Sequence, residues 1–586
     1  MDKFEDNRVE NDQNRLLMQG WINYLSVQHI PPESREQAAA LIQQVFQAIE
    51  QGDSCVPCSW QEAQQLQTLA VQVQDENPPI APFIHDAQYL YLYRYWLQEQ
   101  QLAQHAARLK RQPIQPIALT EQHEALLEDP QQKQAMQMVT SEALSIITGG
   151  PGTGKTYTLA RIIAVLNQAL PDIRIAMAAP TGKAAQRMKE ALQNSFDDRK
   201  LASLVSDDLK RLTPITIHRL LGLGETQQPR FHAKRPLPFD VIVVDEASML
   251  DLSLAQMLFA AVAPQTRLIL LGDANQLASV DVGSVLADLQ QVAGLAKNTV
   301  NLVTSRRFDG EQLIGRMAAF IQANDRSEGV LERFEQQIAA ASVIQAVPLT
   351  TELQNVIQLQ YLPEQEKEIS AAQWAAYYDQ LMLGFSGYAA ALRRYLEKGH
   401  FDEIEDVMMH FDDYRILSAI RHGNLGLHVL NEQIELRLLQ ATQQIKLGEW
   451  YAGRPVMMSY NDYQLGLSNG DVGICFKQKQ QGREIFAVYF PSLKKWVPAA
   501  RLPKSIQTAY AMTIHKSQGS EFSHTAVVLD AYAQQLLSKE LIYTAITRAK
   551  KAVSLLAARS SLSAAMSVRT RRQSGLAYKL AKAINL

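Results

Sequence analysis

The stretch Gly149-Gly150-Pro151-Gly152-Thr153-Gly154-Lys155-Thr156 fills every fixed position of the pattern G-x-x-x-x-G-K-[ST]. It follows the apolar run Leu144-Ser145-Ile146-Ile147-Thr148. It precedes Tyr157-Thr158-Leu159-Ala160-Arg161-Ile162-Ile163, whose apolar residues recur at helical spacing. Strand, loop, helix is the order in which such a loop wraps an oxyanion. Glycines let the backbone approach closely, and the helix N-terminus adds unpaired N–H groups and a positive dipole end. Lys155 is placed to reach the outer phosphates and Thr156 to hold Mg²⁺. The stretch predicts a nucleoside triphosphate site.

Three more apolar runs, Ile173–Ala178, Val241–Val244 and Leu268–Leu271, also lead straight into polar loops. Runs of this kind suit strands buried on both faces of a parallel sheet. Their loops are Ala179-Pro180-Thr181-Gly182-Lys183-Ala184-Ala185, Asp245-Glu246-Ala247-Ser248-Met249 and Gly272-Asp273-Ala274-Asn275-Gln276-Leu277. Ligands of open α/β sheets sit at the carboxyl ends of the strands, so the four loops predict one site. Phosphoryl transfer to water needs a metal on the outer phosphates and a group that positions the water. Asp245 is expected to hold Mg²⁺ with Thr156, and Glu246 to orient or deprotonate the water.

At 586 residues the chain is too long for one core and predicts about three or four domains. Hydrophobic residues make up 47% and charged residues 20%, the composition of a soluble globular protein. Met1-Asp2-Lys3-Phe4-Glu5-Asp6 lacks the apolar core of a signal peptide, and no run of about 18 apolar residues predicts a membrane span. Cys55, Cys58 and Cys475 cannot build a disulfide scaffold, which points to the reducing cytoplasm. Cys55 and Cys58 have no second pair and read as packed apolar side chains. A net charge of −3 gives no global attraction to nucleic acid, so any such binding needs a local groove.

Residues 1–115 are rich in Gln, Leu and Ala with apolar residues every three or four positions, which predicts a helical N-terminal domain. The aromatic cluster Tyr89, Tyr91, Tyr93, Tyr95 and Trp96 reads as the core of a helix. Gln112-Pro113-Ile114-Gln115-Pro116 reads as a linker. An α/β domain is expected over 120–335. Another is expected over 336–586, with a helical segment at 336–410 and a small inserted β barrel at about 447–505. Turn signals at Ser468-Asn469-Gly470-Asp471 and Gln481-Gly482, between strand-like runs, carry the barrel reading.

Two late stretches complete the chemistry. Thr513-Ile514-His515-Lys516-Ser517-Gln518-Gly519-Ser520-Glu521-Phe522 gathers hydroxyls, amides and a cation suited to phosphate and sugar contacts. Leu541-Ile542-Tyr543-Thr544-Ala545-Ile546-Thr547-Arg548 places Arg548 on an apolar helix, where an arginine calls for an anionic partner. The γ-phosphate of ATP is a candidate.

From about residue 130 to 575 these motifs resemble, in order, those of superfamily 1 helicases, and most closely the RecD group. The resemblance implies a nucleotide site made of Gln132, which would read adenine, Gly149, Gly150, Pro151, Gly152, Thr153, Gly154, Lys155, Thr156 and Tyr157. It implies DNA contacts from Thr181, Lys183, His218, Thr513, His515, Lys516 and Gln518. Gln276 would couple the γ-phosphate to the cleft, and Arg307 and Arg548 would act as arginine fingers. His515–Gly519 resembles the branch that moves 5′→3′. Arg421-His422-Gly423, Arg454-Pro455-Val456-Met457-Met458 with Gly466–Gly473, and Arg569–Leu576 favour the RecD group within that branch.

The implied architecture is a partner-binding N-terminal domain and two RecA-like motor domains, the second carrying an inserted SH3-like barrel. The implied activity is ATP-dependent 5′→3′ DNA unwinding within an exodeoxyribonuclease V complex, in recombination and double-strand break repair. RecB-like and RecC-like subunits would be the partners, and no acidic cluster resembles a two-metal nuclease site. A stand-alone helicase of the same group and an ATP-switched scaffold are the alternatives.

Overall fold

A computed structural model describes residues 19–585 except 75–77, 171, 225–226, 305–311, 324–327, 351–352, 354, 399–400, 447, 463, 481–482 and 534–535. The phosphate-loop strand lies inside a six-stranded parallel sheet in the order β10-β5-β9-β8-β6-β7. Its strands are β5 (Leu144–Gly149), β6 (Ile175–Ala179), β7 (Ile215–Thr216), β8 (Val241–Val244), β9 (Arg267–Gly272) and β10 (Thr299–Leu302). The four strands expected from sequence are its four central ones. Every residue of β5, β6, β8 and β9 is buried, as runs packed by helices on both faces require. Ile146 lies opposite Leu270, and Val243 opposite Ile269.

A second parallel sheet has the order β11-β20-β19-β12-β18. Its members are β11 (Val356–Leu362), β12 (Tyr414–Ser418), β18 (Ala511–Thr513), β19 (Phe522–Leu529) and β20 (Ala549–Ala558). The segment 336–410 is therefore not wholly helical. Val356-Ile357-Gln358-Leu359-Gln360-Tyr361-Leu362 alternates because it is a half-covered edge strand. Helices Leu313–Ala323 and Val330–Gln337, which the sequence reading places with the first motor, share a core with this second sheet through Ile314, Met317, Ile321 and Phe334.

Between β12 and β18 the chain inserts an antiparallel five-stranded sheet, ordered β16-β15-β14-β13-β17. It comprises β13 (Pro455–Met457), β14 (Val472–Gln480), β15 (Arg483–Phe490), β16 (Lys495–Pro498) and β17 (Gln507–Thr508). Val456, Cys475, Val488, Phe490 and Val497 form its own small core.

The N-terminal region is not all-helical. Helix Arg35–Glu50 and helix Tyr93–Arg111 accompany a four-stranded sheet, β1-β4-β3-β2. These strands are β1 (Cys55–Pro57), β2 (Ala70–Gln72), β3 (Phe83–Asp86) and β4 (Tyr89–Leu92). Strands of three or four residues are too short to impose a period of two on a Gln-rich stretch. Tyr89 and Tyr91 thus lie on a strand, whereas Tyr93, Tyr95 and Trp96 open the helix. Trp96 Nε1 donates to Asp86 Oδ2 at 2.9 Å.

The chain ends by crossing back. Helix Leu576–Asn585 packs on helix Tyr93–Arg111, and Leu576 and Leu580 share a core with Leu102, Leu144, Ile242 and Leu270. Lys579 Nζ pairs with Glu99 Oε2 at 2.6 Å in the buried seam. The linker 112–116 is pinned to the sheet by Arg267, which donates to the Gln115 carbonyl at 2.5 Å. Among the described residues no helix is long and apolar enough to cross a membrane.

Candidate active site and nucleic-acid groove

The phosphate loop turns sharply because Gly152 (φ +79°) and Gly154 (φ +82°) occupy the left-handed region that side-chain-bearing residues avoid. A Cβ on Gly154 would also lie 2.8 Å from Gln132 Nε2. Gln132 is buried in the helix Pro130–Ser141 and donates to the Thr153 carbonyl at 3.3 Å. Its Oε1 is buried with no hydrogen-bond partner among the described residues, leaving an acceptor beside the loop. Lys155 Nζ donates to the carbonyls of Gly149 at 2.6 Å and Gly150 at 3.1 Å. The ammonium is thereby held over the loop. The Tyr157 ring is backed by the Arg161 guanidinium, 3.2 Å from its centroid.

At the end of β8, Glu246 has φ +52° and ψ +40°, a left-handed conformation unusual outside glycine. Its N–H donates to Asp245 Oδ1 at 2.8 Å. Burial raises the Asp245 pKa, the Glu246 charge adds to the effect, and Lys155 opposes it. At the end of β9, Asp273 accepts from Gln276 Nε2 at 3.2 Å and from the Tyr543 hydroxyl at 3.0 Å. Gln276 Oε1 is buried without a partner among the described residues. Neither Asp273 nor Tyr543 was singled out from sequence, although both lie within stretches that were.

The second sheet closes the site. Arg548 is not on the helix expected for it. Helix Lys539–Ile546 ends at Thr547, and Arg548 occupies the turn before β20. It is buried, with Nε donating to the Thr544 carbonyl at 3.1 Å and Nη1 to the Ser520 carbonyl at 3.3 Å. A cleft of about 530 Å³ is lined by Gly154, Lys155, Thr156, Tyr157, Asp245, Glu246 and Gln276 from one lobe. Gly519, Glu521, Arg548 and Lys550 line it from the other. Arg307 lies outside the described residues.

A second cavity, of about 930 Å³, brings together Thr181, Lys183, Thr513, His515, Lys516 and Gln518. Arg421, His422, Asn469 and Gly470 line it as well, so the inserted sheet supplies part of the wall. The Ser468 turn presses on the first lobe, since a Cβ on Gly182 would lie 3.1 Å from Ser468 Cβ. Burial pulls the Lys183 pKa down to about 7, with Asp412 opposing. Thr181 Oγ1 caps helix Gly182–Phe196 by accepting from Ala184 N, and Thr513 Oγ1 accepts from Lys516 N at 3.3 Å. His218 does not line this groove; it sits half-buried on the short helix Ile217–Leu221. Among the described residues no group of three or more His, Cys, Asp and Glu side chains could hold a metal ion.

Residues 132–282 match the family described as AAA domain, and residues 508–556 match the UvrD-like helicase C-terminal domain. The chain is 36% identical over 527 residues to RecBCD enzyme subunit RecD of Mycolicibacterium smegmatis, covering 88% of this chain and 86% of that one. It is 33% identical to the Haemophilus influenzae protein of the same name, covering 86% and 82%. Against the ATP-dependent RecD2 DNA helicase of Deinococcus radiodurans it is 28% identical, covering 72% of this chain and 48% of that protein.

Proposed function

The chain belongs to the RecD family of RecBCD enzyme subunits, and on that premise we propose that it is an ATP-hydrolysing 5′→3′ DNA helicase of an exodeoxyribonuclease V complex. One observation carries the reading. A single cleft joins a phosphate loop and a paired carboxylate from one sheet to an arginine from another, and both lobes also line a cation-bearing groove.

ATP lies between the two motor lobes. Its outer phosphates take Lys155 from the carbonyls of Gly149 and Gly150, and Gln132 reads the base. The Thr156 hydroxyl and Asp245 carboxylate are hard oxygen donors on one wall, a set that fits Mg²⁺. Mg²⁺ supplies charge neutralisation across the outer phosphates when bound. Glu246, next to Asp245 at the end of β8, orients and deprotonates the attacking water. Gln276 registers the γ-phosphate. Arg548, with Arg307 as a second arginine, stabilises charge in the transition state from the opposite lobe. Hydrolysis removes the charge that bridges the lobes, and they part. Grip on the strand alternates between Thr181–Lys183 and Thr513–Gln518, which yields a step. The 5′→3′ sense rests on the His515–Gly519 run.

The N-terminal domain spans 1–115, the first motor is built on β5–β10, the second takes in helices Leu313–Ala323 and Val330–Gln337 with β11, β12 and β18–β20, and the inserted sheet is an SH3-like barrel. The N-terminal domain docks onto RecB-like and RecC-like partners, whose chains carry the nuclease. The complex acts in the cytoplasm on duplex ends, in recombination and repair. Steady-state ATP hydrolysis of the full chain, with and without single-stranded DNA, tests the reading: hydrolysis should rise with DNA and vanish in Lys155→Ala. Hydrolysis indifferent to DNA contradicts it.

A further inference from the structure

Two elements run from the nucleotide cleft to the nucleic-acid groove. Helix Gly182–Phe196 places Lys183 in the groove and Arg187 in the cleft, one turn apart on the same face. The segment 513–522 places Thr513, His515, Lys516 and Gln518 in the groove, and Gly519 and Glu521 in the cleft. The two elements touch along their length. The Lys183 ammonium lies 5.5 Å from the Phe522 ring centroid. Gly519, at φ +68°, passes so near Ala184 that a Cβ would fall 3.0 Å from Ala184 Cβ. Arg187 Nη2 donates to the Glu521 carbonyl at 2.8 Å, and Arg187 Nη1 lies 3.7 Å from Glu521 Oε2. Lys550 Nζ reaches the same Oε2 at 3.6 Å.

We infer that Arg187 and Glu521 form a clip that couples the two cavities, in which the terminal phosphate of a nucleotide competes with Glu521 for Arg187 and Lys550. The inference rests on the helicase reading of the cleft and assigns a positioning role to two residues that carry no role in it. The electrostatics favour exchange. Desolvation depresses the Arg187 pKa, Glu521 opposes that, and neighbouring Arg548 adds to it. Asp412 and Glu190 act on Arg187 in the same sense as Glu521, so Glu521 is one of several anions that hold it charged. Both side chains of the pair are partly open to the cleft, 31% and 25% exposed, and such pairs contribute little to stability. A phosphate can displace Glu521 without dismantling the fold. Once displaced, Glu521 no longer anchors segment 513–522 to helix Gly182–Phe196, and the groove residues at the other ends of both elements shift apart. Strand binding that draws these ends together restores the pair and favours loss of the phosphate.

The test uses the full chain with oligothymidylate. ATP hydrolysis is measured with and without the strand in the parent protein, Arg187→Gln, Glu521→Gln, the double variant and Arg187→Lys. The ratio of the two rates is read because a purely structural loss lowers both rates together. Each Gln variant should lower the ratio about tenfold. Arg187→Gln removes both the bond to the Glu521 carbonyl and the contact with its carboxylate, so the double variant should be no worse than Arg187→Gln alone. Arg187→Lys, which keeps a cation beside Glu521, should retain at least half of the ratio and covers the case of a Gln variant that folds poorly. Unchanged ratios, losses that multiply in the double variant, or Arg187→Lys behaving as Arg187→Gln would each overturn the clip. A parent protein without DNA-stimulated hydrolysis sinks the helicase reading and the clip together. A stimulated parent with unaffected variants sinks the clip alone.

Discussion

Gln518, in the groove, donates its side-chain amide to the main-chain carbonyl of Leu277 at 2.8 Å, across the boundary between the two parallel sheets. Leu277 follows Gln276, and its own N–H donates to Thr544 Oγ1 at 2.8 Å. The turn that carries Gln276 is thus held by two second-lobe side chains, one of which also faces the groove. Gln518→Leu leaves a buried carbonyl without its partner, which costs about 1–3 kcal/mol at that interface. Single-strand affinity and DNA-stimulated hydrolysis should fall together in this variant, with thermal unfolding of each lobe little changed. Loss of strand affinity with full stimulation would show that the bond to Leu277 does not link the sites.

Lys155→Ala and Glu246→Gln should both abolish unwinding, by different routes. The first removes the cation over the phosphate loop and weakens nucleotide binding. The second retains binding, because Glu246 meets water and not phosphate, and leaves the protein on DNA in the nucleotide-bound state. Arg548→Ala should lower turnover on the order of 10³-fold with binding largely kept. Equilibrium binding of a fluorescent nucleotide beside steady-state turnover separates these outcomes.

On the proposed function, Lys183 should make strand binding depend on pH. Its pKa, lowered to about 7 by burial, leaves it partly neutral at physiological pH. Phosphates in the groove favour the charged form, so binding takes up a proton. Affinity should therefore weaken as pH rises above about 7, by at most about tenfold per unit for one proton. The side chain is half-buried, which limits how far burial can lower its pKa. Asp412 and Asp471 face it as anions, and Arg187 and Arg415 as cations. Lys183→Arg, charged throughout, should flatten the dependence between pH 7 and 8.5 at constant ionic strength. An equal slope in both proteins assigns the titration elsewhere.

The parts of this architecture that were legible in the sequence share one property: their residues answer to local physics. β8 is a continuous Val and Ile run because both faces are covered, and Gly152 and Gly154 mark backbone that needs left-handed angles. What stayed hidden depends on partners far along the chain. β20 extends directly from the Arg548 turn and is set as a strand by its pairing with β11 and β19. Glu246 gives no compositional sign of its left-handed bend. Tyr543 finds Asp273 from 270 positions away.

The N-terminal region braces the first lobe, and on the proposed function it also docks onto partner chains. Helix Tyr93–Arg111 shares the first lobe's core, and Glu99 accepts from Ser54 Oγ at 2.5 Å as well as from Lys579. Removing one partner of this buried pair, as in Lys579→Met, should cost about 3–5 kcal/mol and lower Tm. Residues 19–29 instead expose Trp21 (59%), Tyr24 (56%) and Val27 (54%) at three-residue spacing, an apolar face outside the core that the described residues form. Trp21→Ser with Tyr24→Ser should keep Tm and ATP hydrolysis and lose co-purification with RecB-like and RecC-like chains. Full assembly by that variant would place the docking surface elsewhere.

The direction of movement tests the central claim most directly. Streptavidin is bound at the 3′ end of one biotinylated oligonucleotide and at the 5′ end of another, and its ATP-dependent displacement by the full chain is timed. A 5′→3′ motor driven from the cleft displaces streptavidin faster from the 3′ end, and Lys155→Ala displaces it from neither. Faster displacement from the 5′ end, or displacement that persists in Lys155→Ala, would contradict the account.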